Sequence, residues 1–228
     1  MTEQAIYIID FDSTFTKVEA LDELVDIVLE NHADKDLIKQ QVAEITLQAM
    51  EGEVDFDTAL TKRLELLPIY RHHLDLLIEL LKTKISDSVL RNKDFFKFNS
   101  SSIYIISGGF REFIVPVVAA FSIPEEQVFA NDFLFNEDGR VTGFNSANLL
   151  SQPKGKVKLV ESLHLSGKVI VIGDGYTDYE IREAGLADAF YLFTENIKRK
   201  NLMEKADRIL ASFDELIQLN YEQTTIIS

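Results

Sequence analysis

The sequence contains no cysteine. That excludes a disulfide framework, a thiolate zinc site and a cysteine nucleophile. Histidine is scarce: His32, His72, His73 and His164 are all there are, and they show no metal-ligand spacing. His72 and His73 fall inside a helical pattern and are expected at the surface. No run approaches the roughly 20 apolar residues that a membrane span needs. The short apolar run near the N-terminus has no basic stretch before it and leads straight into Asp10, so no signal peptide is expected and the expected location is cytoplasmic. Basic residues are outnumbered, giving a net charge of −15 and a pI of about 4.7. Such a chain repels nucleic acid and anionic membrane, and neither is an expected partner. A phosphate ligand would need its charge offset locally, by a cation or by a few placed basic groups.

What is present is ample for a core. The chain has 228 residues, 46% hydrophobic and 27% charged, enough for one large domain or one domain with an insertion. The stretch "AIYIIDFDSTF" reads as a strand over residues 5–10, apolar on both faces and therefore of parallel type. Residues 20–82 carry four helical patterns instead. Leu21, Leu24, Val25 and Val28 mark the first, and Ile38, Val42, Ile45 and Ala49 the second. Phe56, Leu60, Leu64 and Leu67 mark the third, and Tyr70, Leu74, Leu77, Ile78 and Leu81 the fourth. "MEGEVD" and Pro68 break the pattern. From residue 102 strands and helices alternate. "SIYIISGG" is a strand, and "REFIVPVVAAF" a helix with Pro116 in its first turns. "QVFANDFLFNEDGRVTGF" is a strand running into a hairpin that turns at Asp138-Gly139. "KGKVKLVESLHL" is a helix, "KVIVIGDG" a strand, and "TDYEIREAG" a helix closed by Gly185. "AFYLF" and "RILAS" are short strands, and residues 220–228 a tail. The fold class implied is α/β, a doubly wound, mainly parallel Rossmann-like sheet. A four-helix segment is inserted after the first strand, dividing the chain into an α/β core of residues 1–14 and 84–228 and a helical insert of residues 15–83.

Three of these strands end in chemistry: "IIDFDST", "IISGG" and "VIGDG". In a parallel sheet such ends share one edge, where ligands bind, so Asp10, Asp12, Ser107, Gly108 and Asp174 converge. In an extended segment, residues two apart point the same way, which aims Asp10 and Asp12 at one crevice. Like charges that close require a cation or a retained proton. Asp178 adds another acid, and an oxygen-only donor set suits Mg²⁺. The structural alternative is that Asp12 or Ser13 merely caps a turn. "SGG" offers a hydroxyl and free N–H groups at a helix start, either an anion cradle or a plain turn. Lys154, in "PKGKVKL", belongs to a lysine cluster that opposes the helix dipole unless an anion sits nearby. Arg63 falls on the apolar face of its helix, either snorkelling to the edge or holding a carboxylate or phosphate. Glu19 precedes the first insert helix and by itself could simply favour that helix's start.

Together, "DFDST", "SGGF", a lysine before a helix and "GDGYTD" resemble the haloacid dehalogenase superfamily, in its order and at compatible intervals. Within it the resemblance is to the phosphoserine phosphatases. "EALDELVDI" and "AMEGEVDFDTALTKRLELL" resemble their helical cap, so the likeness covers nearly the whole chain. It implies Asp10 as the nucleophile that takes the phosphoryl group and Asp12 as general acid and base. It implies Mg²⁺ on the Asp10 carboxylate, the Asp12 backbone carbonyl and Asp174, with Asp178 supporting the metal site. Ser107, Gly108 and Lys154 become the phosphate clamp, Glu19 the holder of a substrate ammonium and Arg63 of its carboxylate. Met50 and Phe56 become apolar cap residues over the substrate. Thr177 replaces the Asn of the commonest bacterial "GDGAND" and looks like the animal-type enzymes. Tyr176 is bulkier than that pattern's Ala. The implied substrate is a small anionic phosphorylated metabolite, with O-phospho-L-serine favoured. Rival readings are a phosphatase or phosphotransferase for another small phosphomonoester, and a receiver-type signalling domain that accepts phosphate on Asp. The oligomeric state is left open by the sequence.

Overall fold

A computed structural model describes residues 5–50, 54 and 56–226; the side chains of Thr46, Leu47, Ala49, Met50 and Phe56, and those from Asn220 onward, are outside the described residues. The first strand, β1 (Ile6–Ile9), is central. On one side it pairs in parallel with β2 (Ile103–Phe110), and β2 with β3 (Val128–Asn131). On the other it pairs in parallel with β6 (Val169–Gly173), followed outward by β7 (Ala189–Phe193) and β8 (Arg208–Leu210). The order is β3-β2-β1-β6-β7-β8, all parallel. β4 (Phe133–Phe135) and β5 (Val141–Phe144) form a separate antiparallel hairpin. Gly139 supplies the left-handed residue that its turn requires, at φ 75°.

Alternate residues of β1 serve the two faces. Tyr7 and Ile9 join one buried cluster with Phe11, Phe15, Phe96 and Phe113. Ile8 joins the other with Ile106, Val171 and Phe190. This double burial is why the strands read as unbroken apolar runs.

Between β1 and β2 the chain forms α1 (Ala20–Val28), α2 (Lys35–Met50), α3 (Phe56–Glu65) and α4 (Arg71–Thr83), the helical cap insertion. The chain leaves and re-enters the sheet through a short neck. Thr16 bridges Ile85 in antiparallel fashion, and Lys17 N–H donates to the Lys84 carbonyl at 2.7 Å. Asn196 Nδ2 staples this neck by donating to the carbonyls of Ser13 and Thr16 and to Ser86 Oγ. Two short helices absent from the pattern reading follow, α5 (Asp87–Arg91) and α6 (Lys93–Phe98). The remaining helices are α7 (Arg111–Val118), α8 (Gly155–Leu163), α9 (Tyr176–Glu183) and α10 (Phe213–Ile226). Pro116 sits in the second turn of α7.

The C-terminal stretch corrects the reading of residues 220–228 as a tail: α10 runs through to Ile226. Phe213 and Leu216, both fully buried, anchor its first turns, and a helix once nucleated extends at little cost. Among the described residues no helix is long and apolar enough to cross a membrane.

Candidate active site

The strand register brings the site together. Ile9 of β1 lies beside Ile105 of β2 and Ile172 of β6, so Asp10, Ser107 and Asp174 emerge side by side at the carboxyl edge. After β1 the chain makes one wide turn over Phe11–Phe15, closed by Thr16 N–H donating to the Phe11 carbonyl at 2.9 Å. Asp10 caps it, its Oδ1 accepting from Phe11 N–H at 2.8 Å. Ser13 takes φ 54°, a left-handed conformation that re-aims the chain. Phe11 and Phe15, fully buried, hold the turn down on the sheet. Asp12 is thus set into the same cavity as Asp10, and its Oδ1 accepts the first N–H of α1, from Ala20, at 2.8 Å. The capping alternative is thus realised at the start of α1, by a side chain that also lines the cavity.

At the tip of β2, Gly109 N–H donates to Ser107 Oγ at 3.0 Å. The buried Asn131 of β3 donates to the Gly108 carbonyl at 2.9 Å and orients that peptide. A side chain on Gly109 would crowd Ser107 Oγ and Asp12 Oδ2, at 3.2 and 3.4 Å from its Cβ. At the tip of β6, Asp178 on the first turn of α9 reaches back so far that a Cβ on Gly173 would overlap its carboxylate. Asp178 Oδ2 accepts from Gly175 N–H at 3.1 Å.

The lysine that meets these acids is Lys156, which sequence reasoning did not single out. Its Nζ lies 2.9 Å from Asp10 Oδ1 and 2.7 Å from Asp178 Oδ1, and it is buried. Lys154 sits just before α8 in a left-handed conformation, φ 56°, and is exposed at the cavity lining. Gly155 is pressed against the Leu149 backbone, where no Cβ fits, and this contact sets which lysine turns inward. Arg199, also unforeseen, donates from Nε to Asp174 Oδ2 at 2.7 Å.

Two side chains of the helical insertion complete the enclosure. Glu19 Oε1 accepts from Ser13 Oγ at 2.6 Å. Arg63 of α3 is 17% exposed and lies 3.5 Å from Asp22 Oδ1, whose side chain is 67% exposed. With Asp10, Asp12, Ser107, Gly108, Lys154, Asp174 and Thr177 they line one cavity of about 590 Å³. The side chains of Met50 and Phe56 lie outside the described residues. Tyr176 does not line the cavity: it is 46% exposed and packs on Tyr179, with Lys205 near both rings.

Burial of so many charges shifts their titration. Desolvation, then the Glu19 charge, pushes Asp12 well above the ordinary carboxylate range despite the Ala20 N–H. Burial raises Glu19 as well, against the pull of the Ser13 hydroxyl. Asp174 is raised by burial and by Asp10, against the pull of Arg199. Burial and Asp10 push Asp178 up to about 8. Burial works to lower Lys156, but the charges of Asp10 and Asp178 prevail and raise it, so it stays protonated. Burial lowers Arg63, which remains a cation facing Asp22 and Glu19.

One carboxylate oxygen from each of Asp10, Asp174 and Asp178 lies within 4.8 Å of the other two. Donors that are all oxygen suit a hard divalent cation. The cavity therefore offers a carboxylate beside a fixed cation, an acid whose titration burial has raised, and a cluster able to chelate a metal.

The family model for haloacid dehalogenase-like hydrolases matches residues 8–183. The chain is 33% identical over 211 residues to a chloroplastic phosphoserine phosphatase of Arabidopsis thaliana, covering 91% of this chain and 69% of that protein. It is 32% identical over 212 residues to phosphoserine phosphatase of Homo sapiens, covering 91% and 89%. Among solved structures it is similar to a phosphoserine phosphohydrolase-like protein from Francisella tularensis subsp. tularensis SCHU S4, with a TM-score of 0.80 and 28% identity over 95% of this chain and 99% of that one.

Proposed function

The chain belongs to the haloacid dehalogenase-like hydrolases, and on that premise we propose that it is a Mg²⁺-dependent phosphomonoesterase hydrolysing O-phospho-L-serine to L-serine and phosphate. The observation that carries this reading is one cavity lined by the Asp10 and Asp12 carboxylates and by a charge pair of opposite sign, Glu19 and Arg63. The first two suit phosphoryl transfer, and the second two suit the ammonium and carboxylate of an amino acid.

In this reading an Asp10 oxygen attacks phosphorus, the ester P–O bond breaks, and Asp12 gives its proton to the departing serine oxygen. Asp12, now ionised, takes a proton from water. That water oxygen bonds to phosphorus, the bond to Asp10 breaks, and phosphate leaves. Lys156 sets its charge 2.9 Å from Asp10 Oδ1. The Ser107 hydroxyl and the Gly108 peptide receive the phosphoryl oxygens, and Lys154 and Thr177 stand at the lining nearby. Asp10, Asp174 and the Asp12 carbonyl would hold Mg²⁺, with Asp178 in support. The bound cation would supply charge neutralisation on the transferring group. Residues 15–83 would act as a cap that closes on the neck, over a core of 1–14 and 84–228, with Met50 and Phe56 excluding water.

The test is a set of four kcat/KM values, parent and Arg63→Ala against phosphoserine and phosphoethanolamine. A charge-assisted hydrogen bond is worth on the order of 1.5–3 kcal/mol, so phosphoserine hydrolysis should drop roughly ten- to a hundredfold. Phosphoethanolamine has no carboxylate, should be a poor substrate of the parent, and should lose little more. Equal losses would discard Arg63 as the carboxylate reader and favour another small phosphoester. Release of at most one equivalent of phosphate would favour a phospho-accepting receiver instead.

A further inference from the structure

The reaction just outlined leaves one cavity-lining cation without a task. Arg199 lies in the loop after β7, and its Nε donates to Asp174 Oδ2 at 2.7 Å. Its side chain is 32% exposed, whereas that of Asp174 is 4% exposed. The other oxygen, Oδ1, faces the Thr14 hydroxyl at 3.4 Å. The loop is anchored, since Asn196 grips the neck through Ser13, Thr16 and Ser86. A full positive charge is therefore held on one of the three carboxylates that together can chelate a cation.

Hydrogen-bond donors behind a ligating carboxylate orient it. A charged donor does this too, but it also opposes any second cation on the same group. The charge balance of the cavity gives that opposition a purpose. Among the described residues, six carboxylates line the cavity against four cationic side chains, and Asp178 stands behind them. With Asp12 carrying the proton that the reaction needs, a divalent cation leaves the loaded lining with one net positive charge, and without Arg199 that surplus, which favours a phosphate dianion, is gone.

We infer that Arg199 is a positioning residue for Asp174 whose charge holds divalent-cation affinity down and, in return, keeps the loaded cavity receptive to an anionic substrate. The inference rests on the phosphatase reading and adds to it a residue that tunes the metal through its ligand. A purely structural Arg199 would, when replaced, loosen the cation whatever replaced it. A charge-tuning Arg199 gives the opposite sign.

The experiment is a calorimetric titration of the full chain with MgCl₂, without substrate, for the parent, Arg199→Lys, Arg199→Gln and Arg199→Ala. Arg199→Gln keeps a donor but loses the charge, and its Kd for Mg²⁺ should fall by about tenfold, the scale of one partly screened unit charge. Arg199→Lys should stay within about threefold of the parent. KM for the phosphomonoester should rise in Arg199→Gln. A Kd in Arg199→Gln that is unchanged or higher would overturn the role, as would Arg199→Lys and Arg199→Ala both binding more weakly. Absence of Mg²⁺ binding to the parent would instead overturn the phosphatase reading, and the inference with it.

Discussion

Replacing Lys156 by Met keeps the length of the side chain and removes its charge. Lys156 is 8% exposed and joins Asp10 at 2.9 Å to Asp178 at 2.7 Å, while Asp178 is 1% exposed. Removing one partner of a buried ion pair costs about 3–5 kcal/mol, because the other charge stays behind unpaired. The chain has one escape: Asp178, pushed up to about 8 by burial and by Asp10, can take a proton. Without Lys156, which pulls Asp178 down, that carboxyl rises further still, so the relief persists as pH rises and places the loss at the lower end, about 3 kcal/mol. For a chain of this length, about 3 kcal/mol corresponds to roughly 6–12 °C in Tm. Lys154→Met removes an exposed side chain and should stay within about 0.5 kcal/mol. Urea unfolding with chelator present, at pH 7 and pH 9, measures both variants, and phosphomonoester kinetics run beside it. Turnover should fall at least about a hundredfold in Lys156→Met and far less in Lys154→Met. A loss under about 1 kcal/mol for Lys156→Met, or equal losses for the two lysines, would refute the assignment of Lys156 as the buried counterion.

Asp10→Asn is nearly isosteric but removes the nucleophile, so turnover should drop at least roughly a thousandfold with circular dichroism unchanged; activity within tenfold of the parent would sink its role. With divalent ions chelated, stability should fall as pH rises from 7 to 8.5. Asp178, pushed up to about 8, titrates in that window, and the raised Asp12 acts in the same direction. The folded chain therefore binds more protons there than the unfolded chain, and a carboxyl so shifted loses stability with rising pH. The lowered carboxyls Asp26, Asp207 and Asp214 act only near and below their ordinary range, and His73 acts below about 6.5. Tm should decline by about 2–5 °C, with Mg²⁺ restoring most at the higher pH. A flat or rising Tm would mean the cluster is not charged as described.

Legibility in the sequence followed the regular elements. Asp10, Ser107, Gly108 and Asp174 could be found because each ends an apolar run, and parallel pairing puts such ends on one edge. Asp12 was found on simple alternation, although the chain reaches that arrangement through a wide turn with Ser13 left-handed rather than through an extended segment. Lys156 was hidden because helix phase at α8 depends on a left-handed Lys154 and on Gly155 lying against Leu149, contacts that no periodicity encodes. Arg199 was hidden in an irregular loop with no pattern to count. Tyr176 looked obstructive by bulk alone, yet helix α9 turns it toward Tyr179 and solvent. The last helix was missed because its apolar anchors, Phe213 and Leu216, lie before the stretch taken for a tail.

Of the six strands of the sheet, β1 is made first and lies inside the order. Tyr7 pairs with Ile103 on one side and with Ile170 on the other. During synthesis, "IYII" therefore leaves the ribosome long before either neighbour exists, and it stays an unpartnered apolar segment while the four helices of the insertion are being made. Such segments are where chaperones bind and where aggregation starts. Asp10 and Asp12 are likewise made early in this stretch, but Lys156, Asp174 and Asp178 arrive only with residues 156–178. A polypeptide released before residue 156 would carry both acids without Lys156, Asp174 or Asp178. The molecule's chemistry is thus withheld until β6 and the turn after it are made, and a premature stop before β6 should yield a sticky product rather than an unregulated enzyme.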